Sequence, residues 1–325
     1  MYSSKGGANG ITICDRWKHE GFCAMMSSLS GRIIGSISLA LYILNTIFWN
    51  LSLFPIAIIK LIVPGQRFKN KCNVILNEIA NCWISCNNAN LRLTKKIRWD
   101  VTGIDNLKQR DWYLVLSNHQ SWVDILVLQK VLHRKIPFLK FFLKKELIWV
   151  PILGLAWWAL EFPFMKRYSK KYLEKYPHQK GKDLEITRRA CKRFKEMPIS
   201  IMNFVEGTRY TQQKHDNQNS PHLNLLRPKA GGVAFVLSAM GDQLNQILNV
   251  TIVYPHGAKS LWEFLCSKNM EIVVRVKAIP VTADLIGDYS EDPVFRDNFQ
   301  KWINELWNEK DFLIEKLKND QRKAA

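Results

Sequence analysis

From Ile33 to Ile59 the chain reads IIGSISLALYILNTIFWNLSLFPIAII and carries no charged residue. About 20 apolar residues suffice to cross the hydrocarbon core of a bilayer, so a run of this length must be covered by lipid or by protein. It is too long for one upright helix, and Asn45, Asn50 and Pro55 interrupt it. Proline removes a backbone donor and kinks or ends a helix. Both flanks are basic: Lys5, Arg16, Lys18 and Arg32 precede the run, and Lys60, Arg67, Lys69 and Lys71 follow it. Positive charge is retained on the cytoplasmic side of a membrane. Two basic flanks therefore favour a helical hairpin that dips in and returns, or a monotopic anchor, over a single crossing. The length of the run without a charge favours a membrane segment over the buried core helix of a soluble protein. A second apolar stretch, Leu147 to Leu160 (LIWVPILGLAWWAL), has the length of a core or interfacial segment, with Trp149, Trp157 and Trp158 suited to the headgroup level.

The remaining composition fits such a setting. Lys and Arg number 47 against 28 Asp and Glu, a formal net charge of +19 over 325 residues. A chain this basic expects an anionic partner: nucleic acid, an anionic membrane surface or a phosphorylated substrate. Between Lys130 and Lys195 there are 18 Lys or Arg and 5 Asp or Glu. Each basic residue near an anionic leaflet contributes about 1 kcal/mol. The segment Lys182–Glu196 puts Leu184, Ala190, Cys191 and Phe194 on one face and cations on the other, the pattern of an interfacial helix. Seven scattered cysteines, with no signal-peptide pattern in the first 32 residues, read as reduced thiols facing a cytosol-like compartment. Cys82 and Cys86 lie four apart on an expected helix. Without a second Cys/His pair at metal spacing, they read as two packed thiols rather than a zinc site, and no metal is expected.

Residues 66–97 read as a helical connector. From Ile97 onward, short β-rich runs alternate with helical stretches, which implies an α/β domain with a mixed or parallel sheet flanked by helices. The expected strands are Ile97–Val101, Trp112–Ser117, Pro137–Phe142, Phe162–Met165, Ile199–Val205, Leu248–Tyr254 and Ile272–Ile279. The expected helices are Trp122–Leu132, Asp183–Glu196, Lys229–Met240, Ser260–Ser267 and Asp292–Lys318, and Tyr210–Arg227 reads as a polar surface loop. The last helix carries Phe295, Phe299, Trp302, Leu306, Leu313 and Leu317 as its inner stripe. The organisation is then a cytoplasmic segment 1–32, a membrane anchor and connector 33–96, and an α/β domain 97–325.

Two polar clusters stand at the carboxyl ends of expected strands, where ligands and reacting groups gather in α/β folds. WYLVL (112–116) runs into Ser117–Asn118–His119–Gln120–Ser121–Trp122–Val123–Asp124. Five residues along a regular helix would point His119 and Asp124 apart, whereas a turn into a helix start brings them together. The carboxylate then holds one ring nitrogen and leaves the other to take a proton. By itself an H-x4-D spacing is a weak signal and fits a histidine capping or hydrogen-bonding at a strand end better. The second cluster adds to it: ISIMNFV (199–205) ends in Glu206–Gly207–Thr208–Arg209. Gly207 allows close backbone approach, and Arg209 offers a planar fork suited to phosphate. A base at one strand tip and a phosphate clamp at another suit a hydroxyl nucleophile on a phosphorylated molecule. No G-x-S-x-G elbow is present, so direct attack by the substrate hydroxyl is the simpler route.

NHQSWVD (118–124) followed by FVEGTR (204–209) resembles the glycerophospholipid acyltransferases, the lysophosphatidic acid acyltransferase family, collinearly from Ser117 to Pro255. With KKEL (144–147), FPFMKR (162–167) and NVTIVYP (249–255), the chain looks closest to an inner-membrane branch of proteobacterial members. The resemblance implies that His119 is the base and Asp124 its partner. It implies acceptor phosphate binding by Glu206, Gly207, Thr208 and Arg209, by Arg167 and by Lys144, and an acyl-donor region at Pro255. The residue before Arg167, often Asp in the family, is Lys166 here. The implied reaction moves an acyl group from acyl-CoA or acyl-carrier protein, a co-substrate rather than a cofactor, to the sn-2 hydroxyl of a lysophospholipid. The acceptor is 1-acylglycerol 3-phosphate most simply, with lysophosphatidylglycerol and lysophosphatidylinositol as alternatives. The expected location is the inner membrane, with the site on or near the cytoplasmic face. A membrane-tethered nucleic-acid-binding protein would explain the +19 charge, but neither the apolar run nor the paired base and carboxylate, and no nucleic acid is expected as partner.

Overall fold

The uncharged run does not turn back on itself. In the computed structural model, which describes residues 13–165 and 197–324, it lies inside one continuous helix, α1 (Ile13–Ile62), with Pro55 within it. The proline sits on the exposed side, while Leu53 and Ala57 on either side of it are buried, so packing holds both halves in line. The chain reverses only after α1, where Gly65 takes φ 109, and returns as α2 (Gln66–Thr94). Of the asparagines that break the apolar pattern, Asn45 joins these two arms, while Asn50 donates to the Thr46 carbonyl within α1 at 2.7 Å. The Asn45 amide donates to Asn87 Oδ1 at 2.7 Å and to the Trp83 carbonyl at 3.0 Å, and the Asn90 amide donates to the Ser38 carbonyl at 3.0 Å. Low numbers on α1 meet high numbers on α2, so the arms are antiparallel.

Beyond α2 the chain builds a six-stranded sheet in the order β1-β8-β7-β2-β6-β3. The strands are β1 (Lys96–Thr102), β2 (Tyr113–Ser117), β3 (Leu139–Phe141), β6 (Ser200–Phe204), β7 (Gln246–Val253) and β8 (Asn269–Pro280). Every pairing is parallel except the antiparallel β7–β8, so the sheet is mixed, as its sequence implies. A small separate sheet pairs β4 (Leu143–Lys144) with β5 (Phe164–Met165). Helices α3 (Val123–Leu132), α4 (Leu153–Ala159), α5 (Gln212–Asn217), α6 (Ala230–Met240), α7 (Leu261–Cys266) and α8 (Pro293–Ala324), with short 3-10 turns at Lys145–Trp149 and Ala283–Leu285, complete the described elements.

The central strand β2 is buried along its whole length, and its side chains alternate between two cores. Leu114 and Leu116 pack with Val233 and Leu237 of α6 and with Ile303 and Trp307 of α8. Tyr113 and Val115 pack on the other face with Val127 and Leu128 of α3 and with Phe264 of α7. One side of α1 lies along this second face. A Cβ on Gly31 or Gly35 would come within 2.8 Å of the Cys266 carbonyl oxygen or 2.7 Å of its sulfur, Tyr42 joins the α3 core, and Leu53 and Ala57 pack with Ala156 and Leu160.

Several expectations change. Tyr210–Arg227 is not all loop: Thr211 caps α5 by accepting from the Lys214 N–H, and Leu225 and Leu226 are fully buried, because Leu226 must reach the site described below. The thiols of Cys82 and Cys86 are not a packed pair, since Cys86 is exposed on α2. The inner stripe of α8 runs through Phe299, Ile303, Leu306, Trp307, Lys310 and Ile314, with a lysine in a row expected to be apolar. The stretch read as one strand, Pro137–Phe142, ends at Phe141, and β4 follows in the separate sheet. The helix expected over Asp183–Glu196, Cys191, Lys166 and Arg167 lie outside the described residues.

Candidate active site

The parallel register sets the site. Ser117 at the end of β2 stands opposite Phe204 at the end of β6 and Val250 in β7. Two residues further on, His119 and Glu206 leave the two strand tips side by side. Asn118 prolongs the sheet with its side chain: its amide donates to the Ile252 carbonyl and accepts from the Ile252 N–H, both at 2.9 Å. The backbone is thereby clamped to β7 before the chain turns into α3.

That turn brings the base and its carboxylate together. His119 Nδ1 lies 2.9 Å from Asp124 Oδ2. The same oxygen accepts the backbone N–H of Gln120 at 2.6 Å and of Ser121 at 2.9 Å. The carboxylate thus folds back over its own loop, which is how five residues of separation become a contact. The other oxygen, Oδ1, accepts from the Tyr254 hydroxyl at 2.6 Å. Asp124 is fully buried, and with two backbone donors and a hydroxyl fixing it as an acceptor, Nδ1 is the protonated ring nitrogen. Nε2 is left for a substrate. The imidazole stacks on Phe204, with ring centroids 3.8 Å apart and planes 13° apart.

Glu206 works from underneath. Its two oxygens accept the His119 N–H at 3.0 Å and the Leu226 N–H at 3.1 Å. Burial pushes its carboxyl up to about 8, held back by those two donors. Lys310 of α8 is the buried cation acting on it; burial pulls that amine down to about 7, and it donates to the Val250 carbonyl and, at 3.3 Å, to Thr251 Oγ1. Glu206, expected to bind phosphate alongside Arg209, is fully buried with both oxygens on backbone N–H groups, and it does not line the cavity that Gly207, Thr208 and Arg209 share.

Gly207, Thr208 and Arg209 do line a cavity of about 520 Å³, together with His119, Trp122 and Lys144. Gly207 adopts φ 70, a left-handed turn in which a Cβ would stand 3.2 Å from Lys229 Cδ. The Arg209 guanidinium lies 4.7 Å from the centre of the Trp122 ring, a cation–π contact that orients the fork. Lys214 of α5 donates to Thr208 Oγ1 and to the Arg209 carbonyl, each at 2.9 Å. The inner wall is apolar and comes from the N-terminal arms and the β3–β5 region: Trp49 and Leu53 of α1, Trp83 of α2, Phe141, Trp157 and Phe162. Pro255 is half-buried and does not line this cavity; its neighbour Tyr254 is the residue that reaches the site. Arg167 lies outside the described residues.

Sequence reasoning missed Tyr254, Phe204 and Lys310. Tyr254 and Phe204 stood inside quoted motifs but read as strand residues, and Lys310 occupies a core position of an amphipathic helix. Only the pairing of distant strands gives them a role.

The comparisons with known proteins agree with this geometry. A family model described as Acyltransferase matches residues 98–257. The 1-acyl-sn-glycerol-3-phosphate acyltransferase epsilon of Mus musculus is 27% identical over 231 residues, 64% of this chain and 58% of that protein. An enzyme described as 1-acyl-sn-glycerol-3-phosphate acyltransferase 3 of Arabidopsis thaliana is 26% identical over 219 residues, 62% of this chain and 53% of its own length. The gamma form of Mus musculus is 26% identical over 250 residues, 73% of this chain and 59% of its own. The chain therefore spans between about half and three fifths of the curated relatives it matches. Among solved structures, the 1-acyl-sn-glycerophosphate acyltransferase of Thermotoga maritima aligns with a TM-score of 0.49 at 15% identity, covering 83% of this chain and 94% of that one. With His119, Asp124 and the 206–209 cluster all inside it, the segment 98–257 of this chain is a match to the Acyltransferase family.

Proposed function

We propose that the chain is a membrane-bound O-acyltransferase. It moves a fatty acyl group from acyl-CoA or acyl-carrier protein to the free sn-2 hydroxyl of a lysophospholipid, 1-acylglycerol 3-phosphate before others. The observation that carries this reading is that His119, held by the buried Asp124, and Arg209 line one cavity whose inner wall is apolar. The three parts match the three parts of the reaction: a proton acceptor, an anion clamp and a slot for an acyl chain.

In the proposed mechanism the acceptor hydroxyl gives its proton to His119 Nε2 as its oxygen attacks the thioester carbonyl. Asp124, already bonded at Nδ1, stabilises the imidazolium that forms. The tetrahedral intermediate collapses, the C–S bond breaks, and the departing thiolate takes the proton back from His119. Arg209, braced on Trp122, grips the acceptor phosphate as a charge-assisted pair, with Lys144 on the same cavity wall. Burial of the site strengthens each of these interactions.

The membrane reading is monotopic. The helix from Leu29 to Ile62 is long and apolar enough to cross a bilayer. Yet one of its sides rests on the α/β domain from Gly31 to Ala57, about 39 Å at 1.5 Å per residue. That exceeds the ~30 Å of hydrocarbon, so an upright crossing would drag the domain into the lipid. The opposite side exposes Ile33, Ile37, Leu44, Phe48, Leu51 and Ile58 at helical spacing, a stripe suited to lying in one leaflet. The basic flanks favour the cytoplasmic face of an inner membrane. Lysophosphatidylglycerol and lysophosphatidylinositol remain the second reading, favoured by Lys166 standing where the family often has Asp. The test is purified protein with a panel of lysophospholipids and one acyl-CoA, followed by thioester release. Release with 1-acylglycerol 3-phosphate well above the other acceptors supports the reading, and release with none of them overturns it.

A further inference from the structure

Tyr254 directly follows the last residue of β7, and its side chain is buried. Among the described residues its hydroxyl bonds Asp124 Oδ1, at 2.6 Å. This is the shortest contact that a side chain makes to the carboxylate, and it comes from a strand 130 residues away. The bond uses the oxygen that His119 does not. Resting on the acyltransfer reading above, we infer that Tyr254 is a positioning residue that tunes the base through Asp124, by drawing electron density from the carboxylate and fixing its rotation, without touching substrate.

The charged and titratable groups around the pair come from several elements. Glu206, from the end of β6, bonds the backbone of His119; Arg209 and Lys144 line the cavity; Lys310, from α8, lies beneath Glu206; and the Lys259 carbonyl accepts from Ser121 Oγ at 2.5 Å. Glu206 acts on Asp124 through charge, but among the described residues only His119 and Tyr254 bond the carboxylate through their side chains. Burial, and Asp124 beside it, hold the Tyr254 phenol well above its ordinary range, so it stays a donor at every pH at which the enzyme would work.

The sign of the effect follows from which protonation state the bond favours. A hydroxyl donating to Oδ1 stabilises a full carboxylate more than one already neutralised by an adjacent imidazolium. Tyr254 therefore favours the pair with one proton fewer, which is the form able to act as base. Removing the hydroxyl makes the pair bind a proton more readily, and the acidic limb of kcat/KM moves to higher pH. A hydroxyl that served packing alone would change the plateau rate and leave the limb in place.

The experiment compares wild type, Tyr254→Phe and the protein carrying 3-fluorotyrosine at position 254, using 1-acylglycerol 3-phosphate and acyl-CoA across pH 5–9. His119 is also titrated by NMR as a readout independent of turnover. The expected result is an acidic limb and a His119 titration about half to one pH unit higher in Tyr254→Phe, with a fall of about 3- to 10-fold at the plateau. The fluorinated ring, a stronger donor of the same shape, shifts both in the opposite direction. Unmoved titrations in Tyr254→Phe overturn the inference; if that variant does not fold, an unmoved fluorotyrosine protein does so. Wild type inactive on every lysophospholipid refutes the acyltransfer reading instead, while the His119 titrations still decide whether Tyr254 tunes the pair.

Discussion

Replacing Asp124 with Asn isolates the charge of the carboxylate. In the native site Oδ2 receives three donors, from His119, Gln120 and Ser121, and Oδ1 receives the Tyr254 hydroxyl. An amide can turn its oxygen toward the three nitrogens and its NH2 toward Tyr254 Oη, which then accepts. The ring keeps its tautomer and the loop keeps its shape, so only the negative charge is lost. The Nδ1–Oδ2 distance is 2.9 Å; with charge centres about 4 Å apart and an effective dielectric of about 20, the lost attraction is ~4 kcal/mol. At 1.36 kcal/mol per tenfold, that corresponds to a fall of about 10³ in kcat. Steady-state thioester release measures it, with acceptor and donor concentrations varied separately. A variant that is folded and retains kcat within tenfold of wild type refutes the reasoning, as does a loss confined to KM.

Arg209→Ala should raise KM for 1-acylglycerol 3-phosphate by about 10- to 100-fold, the worth of one charge-assisted bond. Turnover of phosphate-free 1-acylglycerol should change little, and equal losses on both acceptors would remove the clamp. Leu53 is buried in α1 and lines the cavity, so Leu53→Trp should shift preference toward shorter acyl-CoA chains; an unaltered chain-length profile would show that the N-terminal arms do not bound the acyl slot. A structural prediction concerns pH. Arg275 holds Asp100 through two bonds, 2.8 and 2.7 Å, and keeps its carboxyl below the usual aspartate value of 3.8. A depressed acid stabilises the fold above its unfolded value and loses that contribution as pH falls through the folded one. Because the pair is partly exposed, the contribution is at most about 1 kcal/mol. Wild type should melt slightly above Asp100→Asn at pH 7, and the gap should close as pH falls below about 4, as thermal denaturation would reveal.

The alternation of β-rich and helical runs was enough to read the α/β class and the place of both polar clusters, because strand tips in a parallel sheet bring sequence-distant residues to one edge. The contact between His119 and Asp124 was also legible, since a turn is required to bridge them. Other features depend on tertiary partners that leave no local signal. Pro55 reads as a helix breaker, but α1 continues through it because Leu53 and Ala57 are packed on the α/β domain. Glu206 reads as part of a phosphate motif, and only the β2–β6 register turns its carboxylate onto the His119 backbone. Lys310 stands at a core position of α8 because it answers a carboxylate on a distant strand. Asn45 of α1 looked like an interruption until α2 supplied its partners.

The central claim is that one imidazole at the mouth of an apolar cavity carries the transfer. It is tested most directly by thioester release from acyl-CoA with 1-acylglycerol 3-phosphate, wild type against His119→Ala, alongside flotation of both proteins on anionic vesicles. The account predicts that release drops to background in the variant while both proteins float equally. Release at a wild-type rate from His119→Ala would contradict it.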